Sequence, residues 1–401
     1  MQVNSGILLL TITLAASLAT ELIENIIVID PSIEPEPFYN SRPIYKATLQ
    51  PLFLHLEPER MTEFVESFSA FYNRHDNSYE ARRAEQWLNE KIRTVLSHYK
   101  VGNGYLREIQ MGNEPNNHKN LIAIVEGQDP NKKENLVILG AHYDTVPNPS
   151  GSSPGANDNA SGCAVLMEVL LLIVQFEIRF KNTVEFHFYT GKEIYNYYGS
   201  TAVVSQYIKE GRIHHMRANH EMRGMLNVDS VGTRGEYQYP TIGLCTKNDR
   251  TGTSHTNLRL TTFVQMLIRE YSEYEAELEA AGSYDDQCLS DNYSWYYRGY
   301  PSALITESPT QVVRFHEDPE SDTSRRVYGG PLTEYAKVVL AFAIELGELY
   351  EIPPPEQVTN GLLASTESDG TELNETSMAM KLLPPTWPVV SLTFIEIWML
   401  Y

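Results

Sequence analysis

The chain has 401 residues, of which 42% are hydrophobic, and a formal net charge of −21 at pH 7. This length and composition allow one large domain with a substantial core, or two smaller ones. The acidic charge argues against nucleic acids and anionic membranes, because both need a basic protein surface.

The N-terminal residues predict a secreted, extracellular protein. Residues 1–19 contain a short apolar run and small residues placed for cleavage after Ala19, so we interpret them as a signal peptide. The start lacks Lys and Arg, and a buried helix has the same pattern. Residues 20–50 are rich in Pro and Glu, which predicts a propeptide or loose leader.

Residues 51–351 alternate between helical and strand patterns, which predicts one domain. Helices are predicted within 61–75, 84–99, 161–176, 256–271 and 333–350 and from about residue 200, and strands at 120–127, 135–144, 183–191, 225–232 and 302–308. Such alternation predicts an α/β fold in which a mostly parallel central sheet carries helices on both faces. Sites in these sheets lie beyond the C-terminal ends of the strands.

Residues 352–401 form a tail of different character. A polar, Pro-punctuated stretch predicts disorder, and a short apolar end follows it. This order also resembles a glycosylphosphatidylinositol attachment signal, but Glu396 interrupts the apolar end and argues against that interpretation.

Sequons and cysteines fit a secreted protein. Asn292 and Asn374 begin glycosylation sequons, which predicts a glycoprotein. Cys163 lies in the predicted buried helix and is expected in the core. Cys245 and Cys288 could pair in an oxidising compartment, although the sequence leaves this open.

Five potential metal ligands stand where a parallel sheet builds its site. They are His142, Asp158, Glu193, Asp229 and His316. Each alone has a simpler explanation, such as a helix N-cap or a surface histidine. Together, two imidazoles and three carboxylates without a thiolate select zinc or a similar cation. Five ligands exceed the needs of one tetrahedral zinc with an open position, and they suit two Zn²⁺ ions about 3.5–4 Å apart that share one carboxylate.

Asp144 is the predicted partner of the first ligand. It lies two residues beyond His142 on the same strand face, where it can accept the other ring N–H and orient the imidazole.

Six motifs identify a family resemblance over roughly residues 60–350. They are "GAHYDTV", "GANDNASG", "GKEIYNYYGS", "NVDSVG", "SDNYSWYYRGYPSALITES" and "FHEDPESD". In this order they resemble the di-zinc exopeptidases of the bacterial and fungal leucyl aminopeptidase type. The resemblance implies secretion, a removed propeptide and a monomer that acts on the N-termini of peptides. It also implies that Asp158 bridges two zinc ions, with His142 and Asp229 on one ion and Glu193 and His316 on the other.

Lys192 departs from the family pattern. The resemblance places a second glutamate at this position, as the general base and then the general acid of hydrolysis. The proton shuttle that a glutamate supplies is worth about 10²–10⁴ in rate. The lysine could make a pseudo-enzyme, could work as a neutral amine whose pKa the zinc ions lower, or could mark a variant of an active lineage. It could also point to solvent while water carries the proton.

The sequence therefore leaves two functions open. One is a zinc aminopeptidase whose hydrolysis is impaired by Lys192. The other is a catalytically inactive secreted protein that binds zinc and peptide termini in the same cleft.

Overall fold

The computed structural model describes residues 39–351, except for 76–77, 112–117, 149–150, 194–196, 214–221, 234–239, 246–255, 280–288 and 308–317. The predicted signal peptide, the C-terminal tail, Asn374, Cys288 and the candidate ligand His316 lie outside the described residues.

Helices and strands alternate through this region as the sequence predicts. The α-helices are α1 (Lys46–Phe53), α2 (Pro58–Ser69), α3 (Tyr79–Leu96), α4 (Ser161–Gln175), α5 (Tyr198–Lys209), α6 (Leu258–Tyr271), α7 (Asn292–Tyr296) and α8 (Gly329–Gly347). The strands are β1 (Gly104–Gln110), β2 (Lys119–Val125), β3 (Leu136–His142), β4 (Thr183–Tyr189), β5 (Met222–Asp229), β6 (Thr241–Cys245), β7 (Glu275–Glu279) and β8 (Ser302–Thr306).

The strands form one sheet in the order β1-β2-β4-β3-β5-β8-β6-β7. The four central strands β4, β3, β5 and β8 are mutually parallel. Towards the edges, β1 pairs antiparallel with β2, β2 with β4, and β6 with β8. The predicted α/β fold is confirmed as a mixed sheet flanked by helices, and its four parallel central strands carry the candidate site.

Helices cover both faces of the sheet, because alternate strand residues point to opposite sides. In β2, Leu121 and Ala123 join the larger core cluster with α4 and α8, whereas Ile122 and Ile124 join the cluster that contains residues of α5 and α7. The strand is buried on both sides, which explains why its sequence is apolar throughout rather than alternating.

Helix α4 is the central helix of the larger cluster. The segment 156–175 is long and apolar enough to cross a membrane, but in this fold it is entirely buried. Within it, Cys163 is a free, buried thiol whose Sγ contacts the carbonyl of His142 at 3.3 Å. The core position predicted for Cys163 is therefore confirmed.

Part of the predicted leader packs on the domain. Tyr39 stacks on Phe263, Leu49 of α1 is fully buried, and the backbone N–H of Ile44 donates to Glu345. The described fold thus includes residues before 51. Cleavage of a leader in this region stays a prediction.

Candidate metal centre

The candidate ligands meet at the C-terminal edge of the parallel strands. His142 is the last residue of β3 and Asp229 the last residue of the adjacent strand β5. Glu193 follows β4, the other neighbour of β3. Asp158 lies in the loop 156–160 that leads into α4, and its backbone departs from helical geometry there. Parallel pairing brings these chain-distant residues to one edge.

Their ligand atoms are close enough to share a cation. His142 Nε2 lies 3.0 Å from Asp158 Oδ1 and 3.4 Å from Asp229 Oδ1. One ligand atom each from His142, Asp158 and Glu193 fall within 4.8 Å of one another. Four described candidates therefore lie together in one cluster of buried side chains, and the fifth, His316, lies outside the described part of the chain.

The donor set fits zinc. Zinc bonds of about 2.0–2.2 Å in a tetrahedron place neighbouring ligand atoms roughly 3.3–3.6 Å apart. The separations of 3.0 and 3.4 Å around His142 Nε2 are near this value. That nitrogen is also buried without a hydrogen bond to any described residue. A buried imidazole nitrogen that faces carboxylates, and lacks such a bond, is a nitrogen available to a metal ion.

The protein atoms themselves favour positive charge at this point. Burial and Lys192 oppose protonation of His142, but the surrounding carboxylates, Asp229 foremost, raise its pKa well above the usual value. Burial opposes ionisation of Asp229, yet Lys192 and His142 lower its pKa to about 2. Since a zinc-bound imidazole is neutral, zinc would take the place of the proton.

Asp144 contacts both neighbouring ligands. His142 Nδ1 lies 3.1 Å from the backbone carbonyl of Asp144 and 3.4 Å from its carboxylate Oδ1. The hydrogen bond to the ring thus comes from the carbonyl and not from the carboxylate that the sequence suggested, and the orienting role of Asp144 stays a prediction. Asp144 Oδ2 accepts a hydrogen bond from the backbone N–H of Glu193 at 3.0 Å.

Two side chains that the sequence reasoning missed hold the other ligands. Ser290 Oγ donates to Asp229 Oδ2 at 2.6 Å, and it accepts from Asn227 at 2.9 Å. Asp322 accepts the backbone N–H of Asp158 at 2.9 Å. Ser290 begins the quoted "SDNYSW" motif and Asp322 ends the quoted "FHEDPESD" motif, so the family motifs contained the signal that would have found them.

Arg74 is a third missed residue. Its guanidinium group is fully buried and donates to the backbone carbonyls of Phe68, Tyr143, Pro154 and Gly155. These contacts join the segment after α2 to the end of β3 and to the loop before Asp158. A lone arginine after a helix gave no sequence signal for this role.

Lys192 points into the site. Only 8% of the side chain is exposed, and Nζ lies 2.6 Å from Glu193 Oε1, 3.7 Å from Asp229 Oδ2 and 3.8 Å from Asp158 Oδ1. The interpretation that Lys192 points to solvent is therefore wrong. Burial opposes its charge, but the carboxylates of Asp158, Asp229 and Glu193 outweigh burial and raise its pKa well above the usual value. The protein groups alone thus act against the neutral amine that one interpretation required.

Residues 120–343, more than half of the chain, match the model of peptidase family M28. The chain belongs to peptidase family M28. The predicted resemblance is therefore confirmed at the level of the family.

Curated relatives are similar to this chain in sequence, and solved structures are similar to it in fold. The chain is 28% identical over 307 residues to the "Probable leucine aminopeptidase 1" of Trichophyton verrucosum, covering 73% of this chain and 75% of that protein. LapB from Legionella pneumophila has a similar fold, with a TM-score of 0.63, 21% identity and coverage of 78% and 79% of the two chains. A zinc aminopeptidase from Bacillus subtilis aligns with a TM-score of 0.54 at 13% identity, covering 74% of this chain and 99% of that chain.

Two features outside the metal centre bear on the predictions for a secreted protein. Cys245 is disulfide-bonded, whereas Cys288 lies outside the described residues. The Asn292 side chain is fully buried and accepts a hydrogen bond from the backbone N–H of Ser290. Burial of Asn292 disfavours a glycan at that sequon.

Proposed function

We propose that this family M28 protein is a zinc-dependent aminopeptidase that removes N-terminal residues from peptides, and that Lys192 reduces its hydrolytic rate. Membership in a peptidase family implies peptide substrates. The observation that carries the proposal is the close approach of the buried side chains of His142, Asp158, Glu193 and Asp229. Secretion and a monomeric state belong to the proposal as well, from the N-terminal sequence and the family resemblance.

The side chains have separable tasks in this proposal. His142, Asp158, Glu193 and Asp229 would hold the zinc, and the family resemblance would add His316 to them. Bound zinc supplies Lewis-acid chemistry, which activates water and polarises the scissile carbonyl. Asp144 orients His142 through its carbonyl and carboxylate, and it fixes the backbone of Glu193.

Lys192 stands where a general base is needed. A base must accept a proton from the attacking water and deliver it to the leaving amine. The Lys192 ammonium group, with a hydrogen bond of 2.6 Å to Glu193, has no lone pair for that proton. Removal of a shuttle costs about 10²–10⁴ in rate, and this sets the expected impairment.

The same geometry supports a second candidate function. An ammonium group paired with the carboxylates suits a catalytically inactive protein that keeps zinc and binds peptide termini. The two functions differ in turnover and not in fold, so an activity comparison at position 192 separates them.

The test measures hydrolysis of leucyl-p-nitroanilide by the zinc-loaded full chain and by Lys192→Glu and Lys192→Gln variants. We expect kcat to rise about 10²–10⁴-fold in Lys192→Glu, because a carboxylate restores the shuttle. Lys192→Gln is the matched control, since it removes the charge without adding a base, and it should stay far below Lys192→Glu.

Each outcome has a definite meaning. Turnover only in Lys192→Glu favours the inactive binding protein for the chain as it stands. Slow turnover in the unchanged chain favours the impaired peptidase. Equal turnover in the unchanged chain and Lys192→Glu means that lysine performs the proton transfer, and no turnover in any variant contradicts the aminopeptidase assignment.

A further inference from the structure

Lys192 contacts the same carboxylates that are expected to bind metal. We propose that its ammonium group is a built-in cation on the Glu193 side of the centre, so that the chain binds one zinc ion tightly where two are expected. This inference rests on the zinc site of the proposed function.

The carboxylates of Asp158 and Asp229 each face both the imidazole of His142 and the ammonium group of Lys192. Asp229 directs Oδ1 towards His142 Nε2 at 3.4 Å and Oδ2 towards Lys192 Nζ at 3.7 Å. Asp158 Oδ1 lies 3.0 Å from His142 Nε2 and 3.8 Å from Lys192 Nζ. Carboxylates that bridge two cations in a two-metal centre would be shared in the same way. Here the ammonium group stands on the side of the second cation.

The contact with Glu193 is the strongest of the set. Lys192 Nζ lies 2.6 Å from Glu193 Oε1, which is the distance of a charge-assisted hydrogen bond. That oxygen is the one that also faces His142 Nε2, at 3.8 Å. A zinc ion that uses Glu193 Oε1 as a ligand must therefore either share that oxygen with the ammonium group at close range or displace the ammonium group.

Burial makes this displacement costly. The side chains of Lys192 and Glu193 are 8% and 3% exposed, so little water is available to solvate a separated pair. Breaking a buried ion pair leaves an uncompensated buried charge, which is strongly unfavourable. Among the described residues, the ion pairs of Lys192 are with Asp158, Glu193 and Asp229 alone. A displaced ammonium group would therefore find no other carboxylate partner among them.

Charge repulsion acts in the same direction. The Lys192 ammonium group lies within 4 Å of the carboxylates of Asp158, Glu193 and Asp229 and compensates part of their negative charge. A second Zn²⁺ ion would have to bind beside this fixed positive charge, which repels it.

The experiment titrates the metal-free full chain with Zn²⁺ against a competing chelator, and with Co²⁺ followed by visible absorption. Variants Lys192→Met and Lys192→Glu are titrated in parallel. Lys192→Met keeps an unbranched side chain without charge or ligand atom, so it tests the ammonium group alone. The matched control is Lys337→Met, because Lys337 is ion-paired with Glu334 in α8 and contacts none of the candidate ligands.

We expect the unchanged chain and Lys337→Met to saturate at one tightly bound ion. Lys192→Met and Lys192→Glu should bind a second ion with an affinity raised roughly 10²-fold or more, because the fixed positive charge is gone. Far-UV circular dichroism checks that each variant is folded. The titration of the unchanged chain tests the inference without any substitution.

Two results would overturn the inference and leave the proposed peptidase intact. One is a break at two equivalents in the unchanged chain with similar affinities for both ions. The other is a folded Lys192→Met variant that titrates like the unchanged chain. If neither the unchanged chain nor any variant binds metal, the zinc site itself is contradicted. The proposed function and this inference then fail together.

Discussion

Asp144 and Glu193 are joined by a hydrogen bond of 3.0 Å from the backbone N–H of Glu193 to Asp144 Oδ2. The two residues follow the adjacent parallel strands β3 and β4. Since the backbone carbonyl of Asp144 also contacts the ring of His142, one buried residue contacts two candidate ligands. The relative placement of these ligands is therefore a property of the strand ends and not of the metal alone.

The first prediction concerns this contact. Asp144→Ala should lower zinc affinity about 10–100-fold, the usual cost of losing a partner that orients metal ligands. Asp144→Asn should lower zinc affinity by a smaller factor, because its amide oxygen can still accept a hydrogen bond from the backbone N–H of Glu193. Zinc release to a chelator measures both values.

Asp129→Ala is the control for Asp144. Its carboxylate accepts a hydrogen bond from the backbone N–H of Asn131. Both residues precede the start of β3, whereas His142 is at the end of that strand. An Asp144→Ala variant with the zinc affinity of Asp129→Ala would show that Asp144 does not position the ligands.

The second prediction concerns Ser290, which fixes Asp229 Oδ2. Ser290→Ala should lower zinc affinity about tenfold or more and should cost about 1–3 kcal/mol of folding free energy, because Asn227 loses its acceptor. Ser302 offers a matched control, since its hydroxyl is also buried but donates to the carbonyl of Asn292.

Ser302→Ala should reduce stability without a change in zinc affinity. Equal zinc affinities in the two serine variants would contradict the role assigned to Ser290. Urea unfolding of the metal-free chain and chelator competition give the two measurements separately.

The third prediction concerns Arg74. Arg74→Met should destabilise the fold by at least about 3 kcal/mol, because several buried carbonyls lose their donor at once. Arg93→Met is the comparison: Arg93 lies on α3, is largely exposed, and pairs with Glu108, so its loss should cost below about 1 kcal/mol. Similar midpoints of urea unfolding for the two variants would mean that the Arg74 contacts contribute little.

The fourth prediction concerns the pH dependence of folding stability and the buried polar network around Glu185 in β4. Glu185 is fully buried and accepts hydrogen bonds from His187, Tyr207 and Arg212. Burial raises the pKa of its carboxyl group, but these partners outweigh burial and lower the pKa from 4.5 to about 2. A lowered pKa in the folded state stabilises the fold above pH 4.5, and that contribution disappears as the pH falls towards 2.

Glu185→Gln should therefore lose about 3 kcal/mol of stability at pH 7, and the loss should shrink as the pH falls below 4.5. Urea unfolding at several pH values measures the difference between variant and parent. Glu210→Gln is the control, because Glu210 also pairs with an arginine, Arg107, but at a more exposed position. A difference for Glu185→Gln that does not vary with pH would contradict the ionised state assigned to Glu185.

Much of the fold could be predicted because the central strands are buried on both faces. Their apolar runs and the apolar helix α4 are visible without any knowledge of neighbours. The edge strands were missed for the opposite reason. β1 reads "GYLREIQ" and β7 reads "EAELE", so both are short and charged, and only their pairing with β2 and β6 makes them strands.

The residues around the candidate ligands gave less signal in the sequence than the candidate ligands themselves. Ser290, Asp322 and Arg74 act through hydrogen bonds to partners that lie far away along the chain. Ser, Asp and Arg are common in loops for many reasons, so their roles become visible only when the loops are placed together.

The sequence by itself determined the kind of chemistry, since imidazole and carboxylate donors at successive strand ends select a divalent metal whatever their exact distances. It also showed that Lys192 departs from the family pattern. Only the tertiary structure decided where that lysine points, because the direction of a flexible side chain depends on the charges that the folded chain assembles around it. Those charges are the carboxylates of Asp158, Glu193 and Asp229, and they hold the ammonium group inside the site.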